Sequence, residues 1–444
     1  MSGTGATIAE LAEAYRQGGR ADAVKVQLAR IAEPAGEGAR TFFSTFDEQA
    51  VAQAQAYDRA SAPAPLAGIT VSIKDLFDIA GQATAAGSTF LRNAPPARQD
   101  APVVQRLRKA GLIPIGRTNM TEFAYSGLGI NPHFGTPANP FDRAAKRIPG
   151  GSSSGAAVSV TDGMADVGLG TDTGGSCRIP AALCGLVGFK PTAHRVPRDG
   201  VLPLSTTLDS IGPIARSVAC CATVDSILAD DPMPVPDVPV TGLRLGVPSA
   251  YVFDDVDETT AKAFEAALSR LSKAGAKIAT VDASALLDIP QINHKGGFSA
   301  REAYLYHRAW IAEHSAEYDP RVVSRIVKGE IQSDEDERIL VRERQRLIAA
   351  VSHFDAYDAL ILPTTPLVAP TIAELVDDAA YTRVNLLMLR NCTVTNMLDR
   401  CAISVPCHAP GTAPVGLMLM GAHDGDRRLF GVAQAVESAL SSLF

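Results

Sequence analysis

"GGSSSGAAVSVTDGMADVGLGTDTGGSCRIP", residues 150–180, decides how the rest of the chain is read. Its Gly, Ser and Thr content and its shortage of charge suggest a linker. Its "AAVSV" and "ADVGLG" segments are apolar enough to be buried, however, and a structureless run of the surrounding length (127–200) is improbable inside a compact chain. We therefore read it as a glycine-laced core. Working outward, the flanks alternate helix and strand. Thr7 is placed to cap a helix in "TIAELAEAYRQG", with Glu10 three residues later. "DEQAVAQAQAYDRA" (47–60) reads as a second helix. "SAPAPLAG" (61–68) connects it to a strand, "ITVSIKD" (69–75). The amphipathic "PVVQRLRKAG" (102–111) leads into the short strand "LIPIG". This alternation points to α/β layers.

On the far side, "ADDPMPVPDVPVTG" (229–242) is the clearest boundary candidate. A helix (257–275), the strand "AKIATVD", a mostly helical region (300–352), strands in 357–366 and 402–407, and a C-terminal helix follow. No internal repeat is visible.

The chain has 444 residues, 46% hydrophobic and 20% charged, an ordinary globular composition. Net charge is −7 with no basic block, which argues against nucleic acid as the main partner. The first residues carry neither a basic nor an apolar leader region, and no 18-residue apolar run occurs, so neither a secretory signal nor a membrane span is expected. The seven cysteines (177, 184, 220, 221, 392, 401, 407) form no C-x-x-C pair. An odd, scattered set reads as reduced thiols, and a cytoplasmic location is the expectation.

Three places carry chemistry. Lys74 stands in the apolar "VSIKD". It either reaches solvent from a strand end or is buried, where desolvation lowers its pKa and makes it a base. "GGSSSG" lacks the Lys of a phosphate-binding loop. Its Gly151–Gly155 formally fits G-x-S-x-G, but Pro149 spoils the strand that such a nucleophile elbow needs, and a plain Gly/Ser turn remains open. Ser176 follows Gly174 and Gly175, and glycines before a hydroxyl can aim backbone N–H groups at an oxyanion. A hydroxyl nucleophile needs a base. The eight histidines nominate none, and no cluster has metal-ligand spacing.

Residues 150–180 resemble the amidase signature. The likeness spans most of the chain: "PLAGITVSIKDLFDIAG" resembles the family's lysine strand, and "GRTNMTEFAYSG", "NPFD", "GLVGFKPT", "DSIGPIARS", "DALILPTTPLVAP" and "APVGLMLMG" follow in the family's order. The resemblance implies one amidase signature domain over 1–444, an α/β fold with a central mixed β-sheet flanked by α-helices, and a helical excursion over about 240–355. It implies an amidohydrolase that cleaves a linear amide through a serine acyl-enzyme. Carried over residue by residue, the nucleophile is Ser176, the bridging serine Ser152 (after a cis peptide bond) and the base Lys74. Ser152 stands 24 residues before Ser176, which fits the family spacing and disfavours Ser153. Thr173, Gly174, Gly175 and Ser176 match the oxyanion-hole stretch. Tyr125 falls where family members line the acyl pocket. Arg178 is a candidate for a substrate carboxylate, with a structural salt bridge as the competing role.

Cys177 departs from the usual aliphatic residue and suggests a reshaped acyl pocket and thiol sensitivity. Thr161 replaces a smaller residue. No metal or cofactor is implied. The expected partner is a small amide substrate, without nucleic acid or membrane, and a homodimer is left open. Two other readings stand beside this one: the glutamine-hydrolysing component of a tRNA-dependent amidotransferase, and a non-catalytic binding module on the same fold.

Overall fold

The computed structural model describes residues 6–441. Eleven strands form one sheet: β1 (Phe42–Thr45), β2 (Thr70–Lys74), β3 (Ile113–Thr118), β4 (Val167–Asp172), β5 (Val187–Lys190), β6 (Ser210–Ala215), β7 (Arg244–Pro248), β8 (Lys277–Val281), β9 (Ala359–Pro363), β10 (Ala402–Pro406) and β11 (Gly416–Met420). Their order is β1-β3-β2-β4-β6-β5-β10-β11-β9-β7-β8. The sheet is mixed. β3–β2–β4 and β9–β7–β8 run parallel, while the strands between them pair antiparallel. This is the α/β class expected from the sequence.

Every residue of β2, β3 and β4 is buried, as strands covered on both faces must be. β8, at the edge, is largely exposed and begins on Lys277, a charge that discourages pairing with another chain. The quoted stretch supplies the cover over the middle of the sheet. Helix Ser154–Thr161 is buried along nearly its whole length, and Ser159 Oγ lies 2.8 Å from Ser72 Oγ, which ties this helix to β2. Thr161 accounts for its own presence: its hydroxyl donates to Ala157 O (3.2 Å) and Cys184 O (3.4 Å), away from the chemistry-bearing residues.

The helices and strands expected along the chain are present. Thr7 and Glu10 form a reciprocal cap on helix Ile8–Ala14. The 240–355 region differs from a purely helical excursion. It contributes β7 and β8 to the sheet edge, joined by helix Glu258–Lys273 as a parallel crossover, and becomes helical only afterwards, through Gly297–His314 and Asp334–Ala350. The proline-rich run 231–240 has no helix or strand and leads into β7 of the same sheet. Among the described residues no helix is long and apolar enough to cross a membrane.

Candidate active site

β2 and β4 are parallel neighbours, with Ile73 opposite Leu169, so their carboxyl ends open side by side. Open α/β sheets bind ligands at such ends. Lys74 closes β2 and is fully buried. Its Nζ donates to Ser152 Oγ and to Thr171 Oγ1 of β4, both at 2.8 Å. Among the described residues it has no ion-pair partner. Burial lowers its pKa to about 8, against the opposing pull of Cys177, Asp209 and Asp172. Of the two environments open to Lys74 in the sequence, the buried one is realised.

The serine run lies against this amine. The Gly151–Ser152 peptide bond is cis. Thr121 N–H donates to Ser152 O at 3.1 Å, and Ser153 N–H donates to Ser176 O at 3.3 Å, so the two serine-bearing segments run side by side. The hydroxyls diverge from there. Ser153 Oγ turns to Thr171 O and Ser154 Oγ to Asn119 O, each at 3.4 Å. Ser152, Ser153 and Ser154 have no exposed surface, whereas Ser176 keeps 3%. Among the described residues no histidine hydrogen-bonds to Lys74, Ser152 or Ser176.

The turn that carries Ser176 is built on Asp172, a residue that nothing in the sequence reading singled out. Asp172 Oδ1 accepts from Gly175 N–H (2.8 Å) and Asn396 Nδ2 (3.1 Å), and Oδ2 accepts from Cys177 N–H (3.2 Å). Arg178 meets both oxygens, through Nη2 at 2.8 Å and Nε at 3.0 Å. Burial alone would raise the carboxyl pKa, but the Arg178 guanidinium holds it well below the usual range.

These contacts bear on three expectations. Arg178 is fully buried, and its remaining donors go to Thr395 Oγ1, Met418 Sδ, Cys392 O and Asn396 Oδ1, so it has no group to offer a substrate carboxylate. Gly175, one of the residues matched to the oxyanion-hole stretch, donates its N–H to Asp172 Oδ1. Gly175 is glycine for another reason: its φ is +126°, and a Cβ would sit 2.6 Å from both Cys392 Cβ and Ile179 Cδ1. Cys177 points into the core under the turn, where its Sγ faces Gly212 O at 3.5 Å. Burial pushes the thiol pKa up, and an unexposed neutral thiol lacks the thiolate that thiol chemistry needs.

A cavity of about 390 Å³ adjoins the site through Thr171 and Thr173 and is walled by Leu76, Ala124, Arg198 and Asp209. Tyr125 is not among its lining residues. It is half-buried against the core, its carbonyl accepts from Arg325, and burial pushes its phenol pKa up. Asp209 is a second residue that the sequence did not nominate. It accepts from Thr173 Oγ1 and from the amides of Leu204 and Ser205, coupling the cavity wall to the turn that carries Ser176. Burial raises its pKa to about 6 despite these hydrogen bonds. An acidic residue six before the arginine in "DTGGSCR" was the available signal for Asp172. Asp209 opens the "DSIGPIARS" stretch, but nothing in that stretch gave it a role.

The Amidase family model matches residues 22–430. The chain is 38% identical over 383 residues to a 2-amino-5-chloromuconic acid deaminase of Comamonas testosteroni, covering 85% of this chain and 82% of that one. It is 32% identical over 463 residues to the A component of the glutamyl-tRNA(Gln) amidotransferase of Geobacter metallireducens, covering 94% and 93%. A crystal structure of an amidase superposes with a TM-score of 0.85 at 31% identity, covering 97% of this chain and 98% of that one. The fold, the extent of the match and these relatives together establish that the chain belongs to the amidase signature family and is a C–N hydrolase of the amidase type.

Proposed function

We propose that this protein hydrolyses a linear carboxylic amide through an acyl-enzyme on Ser176, with Ser152 as relay and Lys74 as base. The observation that carries the reading is the buried Lys74 amine, 2.8 Å from Ser152 Oγ, with its pKa lowered by burial to about 8. Neutral Lys74 takes the Ser152 proton as Ser152 takes the proton of Ser176. Ser176 Oγ then attacks the carbonyl carbon, and the tetrahedral oxyanion is met by the amides of Thr173, Gly174 and Ser176. One such donor is typically worth about 3 kcal/mol of barrier. As the C–N bond breaks, the proton returns through Ser152 to the amine. Water, activated by the same relay, cleaves the acyl-enzyme. Thr171 Oγ1 holds the amine toward Ser152 throughout.

A second reading is favoured by the 38% identity to the deaminase: loss of ammonia from an amino-substituted unsaturated acid. A panel of aliphatic, aromatic and ureido amides, glutamine and 2-amino-unsaturated acids, assayed for ammonia or amine release by the purified chain, tests both. Turnover of a simple amide that is lost in Ser176→Ala supports the first. Release only from the amino acids favours the second. Glutamine turnover that requires an added partner protein would instead favour a role within an amidotransferase complex.

A further inference from the structure

The cluster His194, His423 and Asp424 lies outside the candidate active site. Its residues come from two chain segments far apart in sequence, so no linear motif announces it. One is the segment leaving β5, and the other is the turn before helix Asp426–Ser441. One ligand atom from each residue falls within 4.8 Å of the others. His194 Nε2 lies 3.2 Å from Asp424 Oδ1, and His423 Nε2 lies 3.5 Å from Asp424 Oδ2. Zinc bonds of about 2.0–2.2 Å in a tetrahedron separate neighbouring ligand atoms by roughly 3.3–3.6 Å, and these N···O separations are of that size.

The second observation concerns the other ring nitrogen. His423 Nδ1 is 2.7 Å from Asp399 O, a carbonyl that can only accept. Nδ1 must therefore carry the proton. The ring is thereby oriented with Nε2 toward the Asp424 carboxylate. Histidine metal ligands are oriented in this way by a carbonyl on the far nitrogen. The frame is also in place without the donors' help. Thr192 is pinned by Asp426 through N–H and Oγ1 (both 2.8 Å), Asp424 N–H donates to Thr192 Oγ1 (3.1 Å), and Ala193 N–H donates to Asp399 Oδ1 (3.1 Å).

We propose that His194, His423 and Asp424 form a surface site for a borderline divalent cation of the Zn²⁺ class, with water in the fourth position. Imidazole and carboxylate donors suit this class and give Mg²⁺ little purchase. The cation staples the segment after β5, which continues into the Arg198 side of the cavity wall, to the last helix.

Isothermal titration of the chelator-treated full chain with ZnCl₂ tests this, with MgCl₂ as control. All three side chains are exposed, so His194→Ala and His423→Ala should fold, which circular dichroism checks. The expected result is saturable one-to-one Zn²⁺ binding, weakened at least about tenfold in each variant, the low side of what ligand-sphere changes cost. His353→Ala, a surface histidine elsewhere, should bind as wild type does. Bound Co²⁺ should give the intense visible absorption of a tetrahedral site. No saturable binding, or binding unchanged in both His194→Ala and His423→Ala, would overturn the proposal.

Discussion

Lys74 sits among oxygen acceptors with no carboxylate in contact, and its chemistry follows from that. Burial disfavours the ammonium, so the amine is neutral above about pH 8 and can act as a base there. The protonated form dominates below that value. Activity should therefore rise with pH through an apparent pKa near 8 and level off above it, in kcat/KM measured on the free enzyme. In Lys74→Ala that limb should vanish. A limb that persists in the variant would assign the titration to another group. In the proposed mechanism the amine also returns a proton to a poor leaving group. An anilide needs that step, whereas a p-nitrophenyl ester of the same acid does not. Single-turnover acylation should thus show Lys74→Ala losing at least about tenfold more on the anilide, the low side of one positioned proton transfer. Equal losses would remove the proton-return half of the mechanism.

At the scale of the element, the turn that carries Ser176 is a loop held by one buried ion pair. Asp172 accepts two backbone amides of the turn and both arms of Arg178. Removing the arginine leaves an unpaired buried carboxylate, which typically costs about 3–5 kcal/mol. Arg178→Met should show a loss of that order by urea denaturation, and Arg178→Lys should not restore the wild-type value, since an ammonium cannot span both oxygens. Unchanged stability with a raised KM would return Arg178 to substrate binding. This element also marks the limit of sequence reading. Strand ends such as Lys74 and the helix after the serine run were legible, because hydrophobic pattern and glycine spacing are local. The partners of Arg178 were not, since Thr395 and Asn396 lie more than 200 residues away and meet it only through folding. For Gly175 the structure adds a reason that the sequence does not carry. Its positive φ and its contact with Cys392 demand glycine, while its N–H is already committed.

For the whole molecule, the eleven-stranded sheet buries all seven cysteines. Burial raises the pKa of Cys177, Cys392 and Cys407, the last two to about 12. A thiol reagent such as Ellman's should find no fast-reacting thiol in the native chain and seven after denaturation. Rapid native labelling of Cys177 would restore the thiol sensitivity that its position beside Ser176 first suggested. The sheet also explains why the proline-rich 231–240 run does not separate two folds: the strands after it, β7 to β11, complete the sheet that β1 to β6 begin. A chain cut in that run should therefore leave the 6–230 part without its neighbours β10, β11 and β9. Expressed alone, that part should be insoluble or give broad, non-cooperative urea melting. A sharp, reversible transition from the fragment would show two independent folding units.

Covalent labelling decides which serine is acylated. The protein is treated with a fluorophosphonate, digested and mapped by mass spectrometry, with Ser176→Ala, Ser152→Ala and Ser153→Ala in parallel. The account predicts one adduct, on Ser176. It should be absent in Ser176→Ala, slowed in Ser152→Ala where the relay is broken, and nearly unaffected in Ser153→Ala, whose hydroxyl bonds Thr171 O. An adduct on Ser152 or Ser153, or labelling that survives in Ser176→Ala, would contradict it.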